Sequence, residues 1–484
     1  MSLGNLAIAL SIRFEQRGAS NDLEEAISLH REALLLRPAC HSRRFLSLNN
    51  LACALQTCFE QRGASNDLDE AISLHQEALL LVPAPHPDRS ASLNNLARAL
   101  QTRFEQRGAS NDLDEAISLH HEALFLRPAP HPDRSESLNN FACALQTRFE
   151  QRGASNDLDE AISSHQEALL LRPAPHPHRS ESLNNFARAL QTRFEQRGAS
   201  NDLDEAISLH LEALLLRPTP HPRRSMSLNN LAIALVTRFE QRGASNDLDE
   251  AISLHQEALL LRPAPHPHHS MSLNNLAIAL ETRFEQRGAS NDLDEVISLH
   301  REALLLRPAP HPNRSSSLNN LATALQTRSE QRGASNDLEE AISFHREALL
   351  LLPAPHPHRS MSLDNLAYSL KTRFEQQGAS NDLDEAISLL REALFLRPTH
   401  HPLHSNLLRH LATALRIRFD KGKVLHDITE AISLYERLRA CPFDDPNRSW
   451  ALKQLPTALR ERRALIGDHP DIVEGTDAEG QSSM

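Results

Sequence analysis

No stretch of this sequence reaches the roughly 20 consecutive apolar residues that a membrane-spanning helix needs. The opening segment MSLGNLAIALSIRFEQ reads as an amphipathic helix of a repeat rather than as a signal peptide. Cysteine is scarce, and the five present (Cys40, Cys53, Cys58, Cys143, Cys441) show no paired spacing. Cys53 and Cys143 share a repeat position that elsewhere holds Ile or Arg, so a reducing, cytoplasmic setting is expected. Positive charge is in deficit: 51 Lys and Arg face 63 Asp and Glu, a formal charge of −12. That balance argues against a surface that tracks phosphates, and so against nucleic acid. Catalytic signatures are missing too, with no phosphate-binding glycine loop, no HExxH, no nucleophile elbow and no CxxC pair. The expectation is a chain that is not an enzyme and that carries no metal and no cofactor.

What the sequence has is repetition. SLNNLARALQTRFEQRGASNDLDEAISLHHEALFLRPAPHPDR starts at Ser92, and close copies of it account for nearly the whole chain. Gly18, Gly63, Gly108, Gly153, Gly198, Gly243, Gly288, Gly333 and Gly378 mark it at a constant step of 45 residues, and a divergent tenth copy follows. A fixed period of this size marks a solenoid, in which each unit packs only on its neighbours.

Each unit reads as two helices. In the third copy the first is expected from about Pro87 to Arg107, opened by proline and closed by Gly108 in the left-handed conformation. Leu93, Leu96, Ala97, Leu100 and Phe104 form one apolar stripe for the core, while Ala91, Asn94, Asn95, Arg98, Gln101 and Thr102 lie on the opposite, solvent- or ligand-facing side. The second helix is expected to start at Asp112 as N-cap, with Glu115 completing a capping box, and to end near Leu126. Its apolar residues cover about half its circumference, so it should be packed on both sides. The proline-rich PAPHPD loop should be a stiff connector. The RFEQR segment, as at Arg103 to Arg107, reads as a solvated helix end.

Ala116, Ala123 and Pro128, with Leu96 and Ala97 in the preceding helix, resemble the second half of a tetratricopeptide repeat. The 45-residue period exceeds that family's usual length, and the phrases LNNLA and HPDR resemble the extended units of kinesin light chains. They resemble still more the fungal arrays that accompany a caspase-like CHAT peptidase domain or a nucleotide-binding switch. The resemblance implies an all-α, right-handed superhelical solenoid of about ten antiparallel helix pairs, over 1–449. A capping helix is expected over 450–466 and an acidic, disordered tail over 467–484. Met1 falls inside the first helix, which reads as a fragment or an incomplete gene model.

Histidine looks arranged, mid-helix at His30, His75, His120, His165, His210, His255, His300 and His345, and in the HisPro loop from His41 to His401. A metal site needs three or four donors converging on an ion at about 2 Å, whereas successive copies stand roughly 10 Å apart because helices pack at that spacing. The mid-helix set is expected to be hydrogen-bonded core, and the loop set to serve the turn and helix start. Asp112, Asp114 and Glu115 explain themselves by the helix dipole.

Side-chain amides both donate and accept, so a row of them can hold a peptide backbone whatever its sequence. The pairs Asn49 and Asn50, Asn94 and Asn95, Asn139 and Asn140, Asn184 and Asn185, Asn229 and Asn230, Asn274 and Asn275, and Asn319 and Asn320 form such a row. In related arrays asparagines at matching places grip peptides, and the resemblance implies that role here. Three neighbouring positions vary most among the copies, those of Ala91, of Arg98 (Arg188, Ile233, Ile278 and Tyr368 elsewhere) and of Gln101. Met226, Ile233, Met271 and Ile278 form an expected apolar anchor in the sixth and seventh units, with Arg98 and Arg188 earlier along the groove. The expected function is a noncatalytic scaffold that binds an extended segment or helix of a protein partner along its concave groove, with self-association left open. The alternative is the sensor arm of a fungal CHAT protease or immune-switch protein.

Overall fold

The computed structural model describes residues 2–467 apart from 18, 19, 199, 244, 265, 289, 355, 398, 400, 402 and 444. The expected tail over 467–484 therefore lies outside the described residues, Gly467 excepted. Among the described residues there are 21 helices and no strand, in the antiparallel pairs of a right-handed all-α solenoid. The third repeat is representative, with α5 (Arg89–Arg107) and α6 (Ser110–Phe125), followed by α7 (Arg134–Arg152) and α8 (Ser155–Leu170) of the fourth. The chain divides into two compact units, 1–359 and 360–484.

The apolar stripe is buried as the periodicity predicts. Leu93, Leu96, Ala97, Leu100 and Phe104 of α5 and Leu113, Ala116, Ile117 and Ala123 of α6 are all in the core. One cluster joins Phe104, Leu113 and Ile117 to Phe141, Leu145 and Ala161, so each repeat completes its core with the next. Burying one such side chain is worth about 1.5–3 kcal/mol. Gly108 ends α5 at φ +70 with its N–H on the Phe104 carbonyl, the left-handed stop expected of it. Gly63 has a further constraint, because Pro310 of the seventh repeat leaves no room there for a Cβ.

Two expectations about helix ends need correction. α6 begins at Ser110, not after Asp112, and makes no side-chain cap hydrogen bond. Asp112 is instead a buried first-turn residue gripped in bidentate fashion by Arg103 Nε and Nη2 at 2.7 and 2.8 Å. The RFEQR segment is accordingly not merely solvated: Arg103 ties the two helices of one repeat, and Arg107 reaches back to Asp69 of the preceding repeat at 2.7 Å. The corresponding within-repeat pairs recur at Arg148 and Asp157, Arg193 and Asp202, and Arg238 and Asp247. The loop histidine meets its expectation. His131 Nδ1 accepts the Asp133 backbone N–H at 3.1 Å, and the backbone N–H of His131 donates to the Pro128 carbonyl, shaping the turn that enters α7.

The first helices of successive repeats touch one another, as α5 does α7 and also α3 (Arg44–Arg62), whereas among the described residues second helices pack on first helices and not on one another. Elements crowded together lie on the inside of a curve. The first helices therefore line the inner side of the first unit.

Candidate functional site

The asparagine pair divides between two environments. Asn94 lies at the edge of the α5 stripe nearest α6 and the next repeat, and it is buried. Its Oδ1 accepts from His120 Nδ1 at 2.9 Å and its Nδ2 donates to Ser137 Oγ of α7 at 3.1 Å. Ser137 Oγ also accepts from Arg127 Nη1 at 3.0 Å, and Arg127 Nε donates to Ser90 Oγ at 2.8 Å. A buried polar chain of His120, Asn94, Ser137, Arg127 and Ser90 thus fastens both helices of a repeat to the next one. Asn49, Asn139, Asn184, Asn229, Asn274 and Asn319 are buried alike, each 2.8–2.9 Å from its histidine. The expectation that these first asparagines face a ligand is therefore corrected: each is buried with its Oδ1 on a histidine, and Asn49, Asn94, Asn139, Asn184 and Asn274 also spend Nδ2 on a serine of the next repeat, whereas Asn229 Nδ2 is buried without a hydrogen-bond partner. The wheel erred because a first helix such as α5 has four helices around it, so its buried arc is wider than a one-neighbour stripe.

Seven of the mid-helix histidines, His75, His120, His165, His210, His255, His300 and His345, are hydrogen-bonded core as expected, and His30 is buried as well. Burial holds them neutral, pushing the imidazole down to about 3 at His75 and about 4 at His120. Among the described residues no group of three or more His, Cys, Asp or Glu is disposed to hold a metal ion, and no helix is long and apolar enough to cross a membrane. The buried arginine was not foreseen. Arg217 is 1% exposed, bonded to Ser180, Ser227 and the Arg223 carbonyl, and burial lowers its pKa to about 10.

The second asparagines stand differently. Asn50, Asn95, Asn140, Asn185, Asn230, Asn275 and Asn320 are half-exposed, and none of their side-chain amides is hydrogen-bonded among the described residues. Asn95, Asn140 and Asn185 line a recess of about 360 Å³ with Arg98, Glu136 and Glu181. Arg98 and Arg188 are exposed and lie 3.7 Å from the sulfurs of Cys53 and Cys143 in the preceding repeat. About two turns further along, Glu60, Glu105, Glu150 and Glu195 reach solvent, yet the protein crowding around them hinders solvation of the charge and raises each carboxyl above the usual range. These residues form polar rows on the first helices of the first unit.

On later first helices of that unit, Ile233, Met271 and Ile278 are exposed and Met226 is half-exposed. Tyr368 is exposed in the second unit. The position of Gln101 is more structural than expected. Gln56, Gln146 and Gln191 are buried, and each donates to a threonine of the next repeat (Thr102, Thr192, Thr237) at 3.0–3.1 Å.

The tetratricopeptide repeat model matches residues 1–35, 46–88, 89–133, 135–178, 180–222, 224–268, 270–313, 314–358 and 360–402. No curated protein matches the chain significantly. Among solved structures, the human IFIT1 dimer with m7Gppp-AAAA is 14% identical over 95% of this chain and 94% of its own, with a TM-score of 0.53. A kinesin light chain-like protein of Podospora anserina with nearly identical repeats is 23% identical, covers 45% of this chain and 98% of its own, and has a TM-score of 0.33. Yeast Tom70 is 17% identical over 96% of this chain and 97% of its own, with a TM-score of 0.39. At these identities the likeness to IFIT1 is one of fold.

Proposed function

The chain belongs to the tetratricopeptide repeat family, and from that premise we propose that it is a noncatalytic scaffold that holds an extended segment of a partner protein along the inner side of its first unit. The observation that carries this reading is the row of seven half-exposed asparagine amides, one per repeat from Asn50 to Asn320, that are not hydrogen-bonded among the described residues. An amide can donate to a peptide carbonyl and accept from its N–H at once, so successive repeats can follow a backbone without reading its side chains. Reading falls to the exposed positions beside the amides, Arg98 and Arg188 in one stretch and Met226, Ile233, Met271 and Ile278 in another. Each contact is weak, and affinity comes from their number. The formal charge of −12 supports a protein partner over nucleic acid. The five unpaired thiols support a reducing, cytoplasmic setting.

The test selects peptides on the purified chain from a random display library and measures a selected peptide by fluorescence anisotropy. Loss of one amide contact should cost about 0.5–1.5 kcal/mol, so Asn140→Ala with Asn185→Ala should weaken binding roughly tenfold or more while leaving the helical signal intact. Met226→Asp with Ile278→Asp should do the same for peptides that carry an apolar anchor. Unchanged affinity in both folded double variants would remove the groove from the account.

A further inference from the structure

The ninth repeat breaks the buried pattern. Asp364 of α17 (Arg359–Gln377) takes the asparagine position, and Leu390 of α18 (Ser380–Phe395) takes that of its histidine. In the tenth, Arg409 of α19 (His404–Gly422) takes the asparagine position. Where the earlier repeats pack an imidazole against an amide, the second unit has a cavity of about 200 Å³ lined by Tyr368, Leu390, Ala414, Arg409 and His410, and by Trp450 of α21 (Pro446–Gly467).

Its walls are largely apolar and aromatic, and its polar groups are unequally committed. Asp364 Oδ1 accepts from His410 Nδ1 at 2.7 Å, so these two satisfy each other. Lys371 lies 3.4 Å from Glu375 and 4.9 Å from the centre of the Tyr368 ring. Arg409 is the exception. Its guanidinium has no carboxylate partner among the described residues, approaches only His410 Nε2 at 3.5 Å, and has a buried Nε without any hydrogen-bond partner. A cation left uncommitted at the edge of an aromatic pit calls for an anion with an apolar body, and the guanidinium fork matches a carboxylate. The volume falls below the roughly 300–1,000 Å³ of sites for drug-sized ligands, so it admits one ring and not a peptide.

We propose that this cavity binds a small aromatic carboxylic acid, its ring in the pit between Leu390 and Trp450 and its carboxylate on Arg409. The site is separate from the amide row and does not depend on it. Trp450 is the chain's single tryptophan, so its fluorescence reports directly on the pit. Titration of the full chain with phenylacetate should give a saturable change in Trp450 emission, with a Kd of roughly millimolar or tighter for a ligand of this size. The neutral phenylacetamide and the Arg409→Gln variant should each bind at least about tenfold more weakly, since both remove the ion pair. The double variant Asp364→Asn with Leu390→His restores the pair that fills this place in seven other repeats; it should keep its helical signal and lose the response. Saturation by acid and amide alike, a response that survives in the refilled double variant, or no response in the native chain would each overturn the proposal.

Discussion

Acid should weaken this fold through its buried histidines, by an amount the structure allows to be worked out. His75, His120, His165, His210, His255, His300 and His345 are each 0–1% exposed. Burial pushes the imidazole down to about 3 at His75 and His165 and about 4 at the other five. In the unfolded chain the ordinary value is about 6.5. Above that value neither state binds the proton and the full stability is present. As pH falls from about 6.5 toward 4 the unfolded chain takes up protons that the folded chain refuses, and below both values the loss is complete. At about pH 5 an unfolded histidine is favoured by protonation roughly 30-fold and a folded one hardly at all, so each repeat loses roughly 2 kcal/mol relative to pH 7.5.

Other groups do not cancel this. Asp204, Asp249 and Asp294 are held below the usual carboxyl range by hydrogen bonds from Arg242, Arg287 and Arg332, so these ion pairs persist at mild acidity. The crowded inner carboxyls act the other way. Glu281, raised to about 7 by burial and then by Glu285, is protonated first in the folded state and offsets part of the loss. Urea melts followed by helical signal should therefore show a midpoint that falls steeply between about pH 6.5 and 5, with little change in slope. Carbon-13 labelling of the imidazoles should show those seven residues failing to titrate in the folded chain over this range. Either a flat midpoint, or a folded-state imidazole among the seven titrating near 6.5, would refute the reasoning.

Removing one amide from the polar chain should show what it contributes. Asn184→Ala leaves His210 Nδ1 and Ser227 Oγ each short of a partner and should cost about 2–3 kcal/mol in a urea melt, against about zero for Asn185→Ala, whose side-chain amide is not hydrogen-bonded among the described residues. The glycine turns should divide by surroundings. Gly198→Ala meets open space at φ +68 and should cost about 1 kcal/mol from backbone conformation alone. Gly63→Ala adds a clash with the Pro310 carbonyl and should lower the thermal midpoint further.

The architecture was readable because repetition and local rules agree. The 45-residue step, the glycine that must adopt positive φ and the leucine stripe of the first helix each point to the same helix pair, and all three recur in the structure. The site was half readable. Residue type alone could not separate Asn94 from Asn95, since both are polar and adjacent, and only the packing of four helices around α5 assigns one to the core. A signal for that assignment does lie in the chain. Asparagine and histidine occur together in seven repeats and are both replaced in the ninth (Asp364 and Leu390) and in the tenth (Arg409 and Tyr435), although the first repeat keeps His30 with Gly4 at the asparagine position. Two positions that change in step are in contact. The buried Arg127, Arg172 and Arg217 had no such mark, because an arginine before proline at a helix end reads as solvent-facing until the loop carbonyls and serines around it are placed.

The same accounting separates two kinds of variation on the inner face. The run of glutamines that donate to the next threonine is interrupted after Gln191, which donates to Thr237, because Val236 and Glu281 occupy the position in the following two repeats. Losing the donor there leaves no orphan. Thr282 still bonds to the Ile278 carbonyl at 3.2 Å, as Thr237 does to Ile233 at 3.1 Å, and Val236 buries its own apolar surface. Valine at that position is nearly free to the fold, whereas burial raises the Glu281 carboxyl to about 7, and variety there is by itself no argument for a partner. The row of Arg98, Ile233 and Ile278 differs in one respect: exposing isoleucine where arginine stood gives the solenoid nothing, since neither residue is needed for the core. If the amide row holds a backbone, this row and its neighbouring methionines are where preference among partners must arise, which is why the paired aspartate substitutions at Met226 and Ile278 test selectivity while those at Asn140 and Asn185 test grip.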